Sequence, residues 1–76
     1  MIPDNYRMVF VRVHRKADSG LERCGWVCAP KSCGWDEAET RSAALVARDY
    51  PESRFTVATG HGMAFHASDP IFGILG

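Results

Sequence analysis

The 76-residue chain has no long hydrophobic run and no excess of charge of either sign. Its longest apolar tract, residues 71–75, is far shorter than the roughly 20 residues that a membrane-spanning helix needs. Nine basic residues balance nine acidic ones, which excludes the strong positive charge expected of a protein that holds nucleic acid mainly by charge. No basic segment followed by an apolar run opens the sequence, so no secretory signal is expected. These absences predict a soluble, cytoplasmic protein with no membrane partner.

Cysteine is also scarce, and the three cysteines are an odd number that cannot form a complete set of intramolecular disulfides. Free thiols in a reducing compartment are therefore expected. Three cysteines and two histidines offer the ligands of a zinc site: Cys24, Cys28, Cys33, His61 and His66. Cys24 and Cys28, however, fall on one predicted strand, about 13 Å apart at about 3.3 Å per residue. One ion cannot bridge that distance, so we expect no metal and no cofactor.

The motifs of the common enzyme classes are missing too, since the sequence holds no Walker-type loop, dinucleotide fingerprint or carboxylate dyad. Cys33 precedes the predicted helix, whose dipole lowers a thiol pKa. The acids Asp36, Glu37 and Glu39 disfavour a thiolate there, and no base is identifiable. His61 lies between two glycines and could serve as a general base, but turn chemistry explains it equally well. The sequence therefore predicts a protein that is not an enzyme, with a metal- or thiol-dependent activity at Cys33 and the histidines kept as an alternative.

What the sequence does contain is enough apolar material for one core: 46% of its residues are hydrophobic and 24% are charged. This length predicts a single domain over residues 1–76. Alternation and turn signals predict four strands and one helix. The strands are Tyr6 to Arg15, Leu21 to Ala29, Arg54 to Thr59 and Met63 to Ala67, and the helix runs from about 36 to 49. Residues 71–76 are expected either to dock on the core or to form a short edge strand.

The helix has the clearest pattern. Asp36 followed by Glu39 resembles a capping box, and Pro51 ends the helix. One broad arc is mostly apolar, which predicts an amphipathic helix packed on a sheet. The residues of this arc are Leu45, Ala38, Ser42, Val46, Tyr50, Ala43 and Ala47.

The expected topology is an α+β fold with a single antiparallel sheet, element order β-β-α-β-β and strand order 2-1-3-4. The first strand is apolar on both faces over its first half, which places it in the middle of the sheet. One helix covers one face, so the other face is left open. A large exposed apolar patch usually marks an interaction site, and we expect the partner surface there.

The residues predicted to contact that partner are aromatic and arginine side chains, the composition of binding hot spots. They are Tyr6, Arg7, Phe10, Arg12, Arg15 and Trp26. Residues 1–35 carry six basic and three acidic side chains and residues 36–76 carry the reverse, a division that can orient a charged partner. Direct nucleic-acid binding by the basic first strand is the other alternative, and it predicts an affinity that falls steeply with salt.

The layout resembles that of several small phage-encoded anti-CRISPR proteins. The resemblance covers about 60 residues and lies in the order of elements: a β-hairpin, the alanine-rich helix Asp36 to Asp49, and a closing hairpin from Arg54 to Ala67. It implies a non-enzymatic inhibitor that docks on a CRISPR effector complex of the host and blocks DNA binding or nuclease recruitment. These proteins share no motif, so no functional residue is carried over.

Overall fold

The computed structural model describes residues 5–61 and 69–76. Four strands and one helix lie in these ranges: β1 (Tyr6–Arg15), β2 (Leu21–Pro30), α1 (Trp35–Ala47), β3 (Phe55–Gly60) and β4 (Ile71–Ile74). The predicted α+β class, with one four-stranded sheet and one helix, is confirmed. The bounds of β1, β2 and β3 agree with the predicted bounds to within one residue. β-Branched and aromatic residues favour the strand conformation in β1 and β3.

The sheet has the order β3-β1-β2-β4, so the placement of β1 in its interior is confirmed. β1 pairs antiparallel with both β2 and β3, as expected. The fourth strand corrects the predicted order 2-1-3-4, because β4 joins the outer edge of β2 and runs parallel to it. A tight hairpin can only return the chain antiparallel, whereas a parallel strand needs a crossing of the sheet. The sheet is therefore mixed rather than wholly antiparallel.

Two predictions about the last third of the chain have different outcomes. The expected strand from Met63 to Ala67 lies outside the described residues. The alternative of a short edge strand within residues 71–76 is confirmed by β4. Hydrogen bonds from the Trp26 amide to the Pro70 carbonyl and from the Leu75 amide to the Cys28 carbonyl, at 2.9 and 2.8 Å, fix both ends of this strand on β2.

The core lies between α1 and one face of the sheet. Val9, Val11 and Val13 of β1 point to this face and are fully buried. The helix contributes three fully buried residues to this core: Ala38, Ser42 and Val46. The Ser42 hydroxyl is buried and has no hydrogen-bond partner among the described residues. Serine therefore suits this position through its small size and not through a polar contact.

The start of the helix differs from the prediction. Gly34, not Asp36, is the N-cap; its backbone is extended and it has no side chain to cap the helix. Asp36 and Glu37 lie in the first turn instead, where their charges complement the positive end of the helix dipole. The capping-box interpretation is therefore wrong by two residues, although the placement of acids at this end is right.

Candidate functional site

The sheet face opposite α1, called the open face below, carries the alternate residues of β1 and their neighbours on β2 and β4. Register pairs Phe10 with Trp26, and Trp26 in turn with Ile71. Two residues along β1 and β2, Met8 pairs with Cys28, and Cys28 pairs in turn with Ile74 of β4. The other residues that register places on this face are Tyr6, Arg12, His14, Leu21, Cys24, Pro30, Thr56, Ala58 and Gly60.

Trp26 lies at the centre of the open face and is nevertheless only 2% exposed. The ring of Phe10 meets it edge-on with centroids 5.0 Å apart. Its indole N–H donates to Oδ2 of Asp69 at 3.0 Å, which provides the polar partner that a buried tryptophan requires. Trp26 is therefore packed as an anchor between β1, β2 and the residues that lead into β4.

Three large apolar side chains of the open face remain exposed: Leu21 at 53%, Ile71 at 47% and Ile74 at 60%. Arg12 is exposed on the same face, with its guanidinium 5.8 Å from the centroid of the Phe10 ring. No aspartate or glutamate of the described residues forms an ion pair with Arg12. We call these five residues, Phe10, Arg12, Leu21, Ile71 and Ile74, the open-face patch.

The six residues predicted to contact a partner are divided between the two sides of the sheet. Tyr6, Phe10, Arg12 and Trp26 belong to the open face. Arg7 and Arg15 lie on the helix side of the sheet, because side chains alternate along β1. The predicted contact between Trp26 and a partner stays a prediction. Because Trp26 is buried, the exposed residues near it are the better candidates for partner contact. Sequence reasoning missed Leu21, Ile71 and Ile74. Ile71 and Ile74 occupy this face because β4 pairs with β2, and Leu21 lies opposite His14 at the start of β2.

Arg7 and Arg15 each have partners within the fold. The Arg7 guanidinium lies 4.9 Å from the Trp35 ring centroid, and its Nε donates to the Cys33 carbonyl at 3.1 Å. Arg15 pairs with Asp18 at 3.1 Å and with Glu22 at 3.0 Å, on the exposed hairpin between β1 and β2. These contacts give both arginines a local structural role.

A second polar cluster joins the start of α1 to the end of β3. Glu39 contacts Nδ1 of His61 at 3.0 Å and accepts a hydrogen bond from the Thr59 hydroxyl at 3.3 Å. The His61 ring stacks on Trp35 with centroids 4.3 Å apart. A carboxylate can orient an imidazole for general-base catalysis, but no cysteine or serine of the described residues bonds to this histidine. The cluster connects helix and sheet.

The cysteines lie on opposite sides of the sheet. Cys24 and Cys28 share the open face, where the Cys28 thiol contacts the Met8 sulfur at 3.6 Å, while Cys33 is buried in the core on the helix side. All three are free thiols. Within residues 5–61 and 69–76, no three histidine, cysteine or acidic side chains come together as metal ligands. His66 lies outside these ranges.

The surroundings of Cys33 favour its protonated thiol over the thiolate. A hydrogen bond to Glu37 raises the pKa of this thiol above its ordinary value, burial raises it further, and the Arg41 guanidinium, 3.1 Å from the sulfur, opposes the shift. Because the pKa is raised in the folded state, the contribution of this thiol to stability is complete at neutral pH and is lost as the pH rises through the raised pKa. The sequence-based argument that nearby acids disfavour a thiolate thus has its structural counterpart in Glu37.

Glu37→Gln should therefore lower the pH at which Cys33 becomes reactive. The substitution removes the charge that penalises the thiolate and leaves Arg41 in place. Pulse alkylation with iodoacetamide from pH 7 to 10, read cysteine by cysteine by mass spectrometry, measures the midpoint. Cys24 serves as the internal reference, since Glu37 does not contact it. A midpoint for Cys33 that stays the same or rises in the variant would contradict this assignment.

No protein-family model, no curated protein and no solved structure matches the chain. In the part of the chain that the structure describes, no helix combines the length and the apolar character needed to cross a membrane. Any function must therefore be inferred from the open face, the Glu39 cluster and the remaining surface of the fold.

Proposed function

We propose that the chain is a small non-enzymatic protein-binding module, which acts as an inhibitor by docking its open-face patch on a protein complex of the host. The observation that supports this most directly is the clustering of exposure. All three of the large, strongly exposed apolar side chains in the described ranges, Leu21, Ile71 and Ile74, fall on the face that α1 does not cover. Exposed apolar groups on one face favour a partner surface over a solvated one.

The patch also specifies the chemistry of its partner. Arg12 is held over Phe10 and has no carboxylate partner among the described residues, so it can donate to an acidic group across an interface. Ile71 and Ile74 flank the buried Trp26 and supply apolar contact area. The matching surface is an apolar patch with at least one carboxylate at its rim, in which burial gives affinity and the charge pair gives orientation.

The resemblance to anti-CRISPR proteins names a CRISPR effector complex as the target, and the charge of the patch favours one of the two modes of inhibition. A channel that holds a nucleic-acid duplex is lined with positive charge. An arginine-bearing patch does not suit that channel. We therefore propose docking at an acidic and apolar surface that recruits the nuclease, rather than imitation of DNA.

The test is binding to purified effector complexes, each immobilised and probed by interferometry, together with target-DNA binding and cleavage assays. The expected result is stoichiometric binding to one complex that inhibits cleavage and leaves DNA binding intact. Arg12→Glu and Ile74→Asp should each weaken binding at least tenfold, since both side chains are exposed and neither supports the core. Arg54→Glu is the matched charge reversal away from the patch, and it should have no effect.

Three outcomes would overturn the proposal. One is the absence of binding to every complex; another is binding that the open-face variants leave unchanged. The third is affinity for DNA or RNA that falls steeply with salt and is lost in Arg12→Glu, which would assign the patch to nucleic acid instead. Circular dichroism of each variant confirms that loss of binding is not loss of fold.

A further inference from the structure

A shallow groove of about 290 Å³ lies on the helix side of the sheet, between α1 and the residue that follows β4. Ala44, Leu45 and Leu75 form its floor, and Arg41 and Arg48 border it. Gly73 of β4 faces Leu45 beside this groove, and a β-carbon there would lie 3.2 Å from Leu45 Cδ2. The groove sits beside β4, on the opposite side of the sheet from the open-face patch.

Both arginines hold their charge next to this apolar floor. Arg41 Nη1 donates to the Cys33 sulfur and Nη2 to the main-chain oxygen of Gly76, each at 3.1 Å, so its guanidinium is fixed along the groove. Arg48 is exposed two helical turns further on, about 10 Å away at about 1.5 Å per residue. Neither guanidinium forms an ion pair with an aspartate or glutamate side chain in the described part of the chain. The acid one turn before Arg41 is Glu37, which raises the pKa of the Cys33 thiol.

β4 lies at one end of the strand order. Among the described residues, β4 pairs with a strand only on its β2 side. Residues 71–76 contain no charged residue and no proline, which are the usual devices that prevent a free edge from pairing with another chain. An extended segment laid along this edge would place alternate side chains toward the groove and toward the open face, since side chains of a strand alternate.

We propose that the β4 edge and this groove together bind an extended segment of a partner protein in which acidic residues alternate with apolar ones. The acidic side chains face Arg41 and Arg48, and the apolar ones extend the surface of Ile71 and Ile74. The chain's own β4 has no acidic residue, and a second copy would bring its own arginines toward these two. This inference goes beyond the proposed function, because the groove and its two arginines lie outside the open-face patch, with which the site shares only Ile71 and Ile74, and because binding there needs no effector complex.

A fluorescein-labelled ten-residue peptide of alternating aspartate and valine tests the proposal by fluorescence anisotropy at 50 mM salt. We expect saturable binding, with shifts of the residue 71–76 amides in a nitrogen–proton NMR spectrum. A lysine–valine peptide and a peptide of the same aspartates and valines in two blocks should each bind at least tenfold more weakly. Arg48→Glu should also weaken binding at least tenfold, because it reverses a charge without touching the core.

Arg12→Glu should leave the affinity for the peptide unchanged. The proposal of peptide binding at the β4 edge and the proposal of docking on an effector complex can therefore be refuted independently. Equal binding of the acidic and basic peptides, or an Arg48→Glu variant with full affinity, would refute the charge recognition. Absence of binding at millimolar peptide would refute the site. Light scattering after gel filtration tests whether a second copy of the chain binds the β4 edge instead. A dimer that the peptide cannot dissociate would assign this edge to a second copy and overturn the proposal.

Discussion

Replacing Trp26 with alanine should lower the free energy of unfolding by about 3–5 kcal/mol, the usual cost of truncating a buried tryptophan. Domains of this length are stable by about 4–11 kcal/mol at about 0.05–0.15 kcal/mol per residue. The substitution therefore removes a large share of the total. It deletes the side chain that Phe10 contacts edge-on and the N–H that Asp69 accepts at 3.0 Å.

Two further variants separate these contributions. Trp26→Phe keeps most of the apolar area and loses the hydrogen-bond donor, so it should cost clearly less than the alanine variant. Phe10→Ala removes a ring that is only half-buried, so its cost should also be smaller.

Urea denaturation followed by far-UV circular dichroism gives the three values. A loss below about 1.5 kcal/mol for Trp26→Ala, well under the range for such truncations, would mean that this indole does not anchor the sheet.

The elements that local pattern determines were predictable from the sequence. β1 combines an apolar alternation with β-branched residues and has no glycine or proline, and its predicted bounds agree with the observed strand. The buried residues of α1 belong to the predicted arc, because helical periodicity alone specifies which side chains share a face. The zero net charge of the chain, in contrast, does not predict on which face of the sheet each arginine side chain lies.

The position of β4 could not be read from local pattern. Both outer edges, that of β2 and that of β3, were available to residues 71–76. The hairpin that the two glycines around His61 predict on β3 involves Met63 to Ala67, which lies outside the described residues. The choice of β2 depends on contacts between residues far apart in the sequence, such as the Cys28 carbonyl with the Leu75 amide. For the same reason the exposure of Ile71 and Ile74, and with it the open-face patch, was not foreseen.

The candidate binding residues show the same division between local and distant causes. Strand alternation correctly puts Phe10 and Arg12 on one face and Arg7 on the other. Alternation does not reveal that Arg7 lies against Trp35, twenty-eight positions along the chain. Hot-spot composition thus identified suitable residue types, while the partners already present in the fold decide which of them remain available.

Replacing Gly25 with alanine should destabilise the protein by about 1–3 kcal/mol, the usual cost of adding a methyl group where no space exists. Gly25 lies on the helix side of β2, opposite Val11. A β-carbon there would lie 2.8 Å from the Pro70 carbonyl oxygen and 2.9 Å from Cε2 of Phe72. The ring can rotate away, but the carbonyl is main chain and accepts the Trp26 amide at 2.9 Å, so relief requires β4 to move.

The location of the weakened hydrogen bonds in Gly25→Ala distinguishes a local clash with β4 from a general loss of stability. Hydrogen exchange of the Trp26 and Leu75 amides, which bind the two ends of β4 to β2, should accelerate more than exchange within the β1–β2 hairpin. Gly73→Ala is the matched control: its nearest contacts are the flexible end of Leu45, at 3.2 and 3.3 Å, so a small shift accommodates it. Uniform acceleration throughout the sheet, or equal losses for Gly25→Ala and Gly73→Ala, would show that close backbone approach at Gly25 is not what allows the fourth strand to pair parallel to β2.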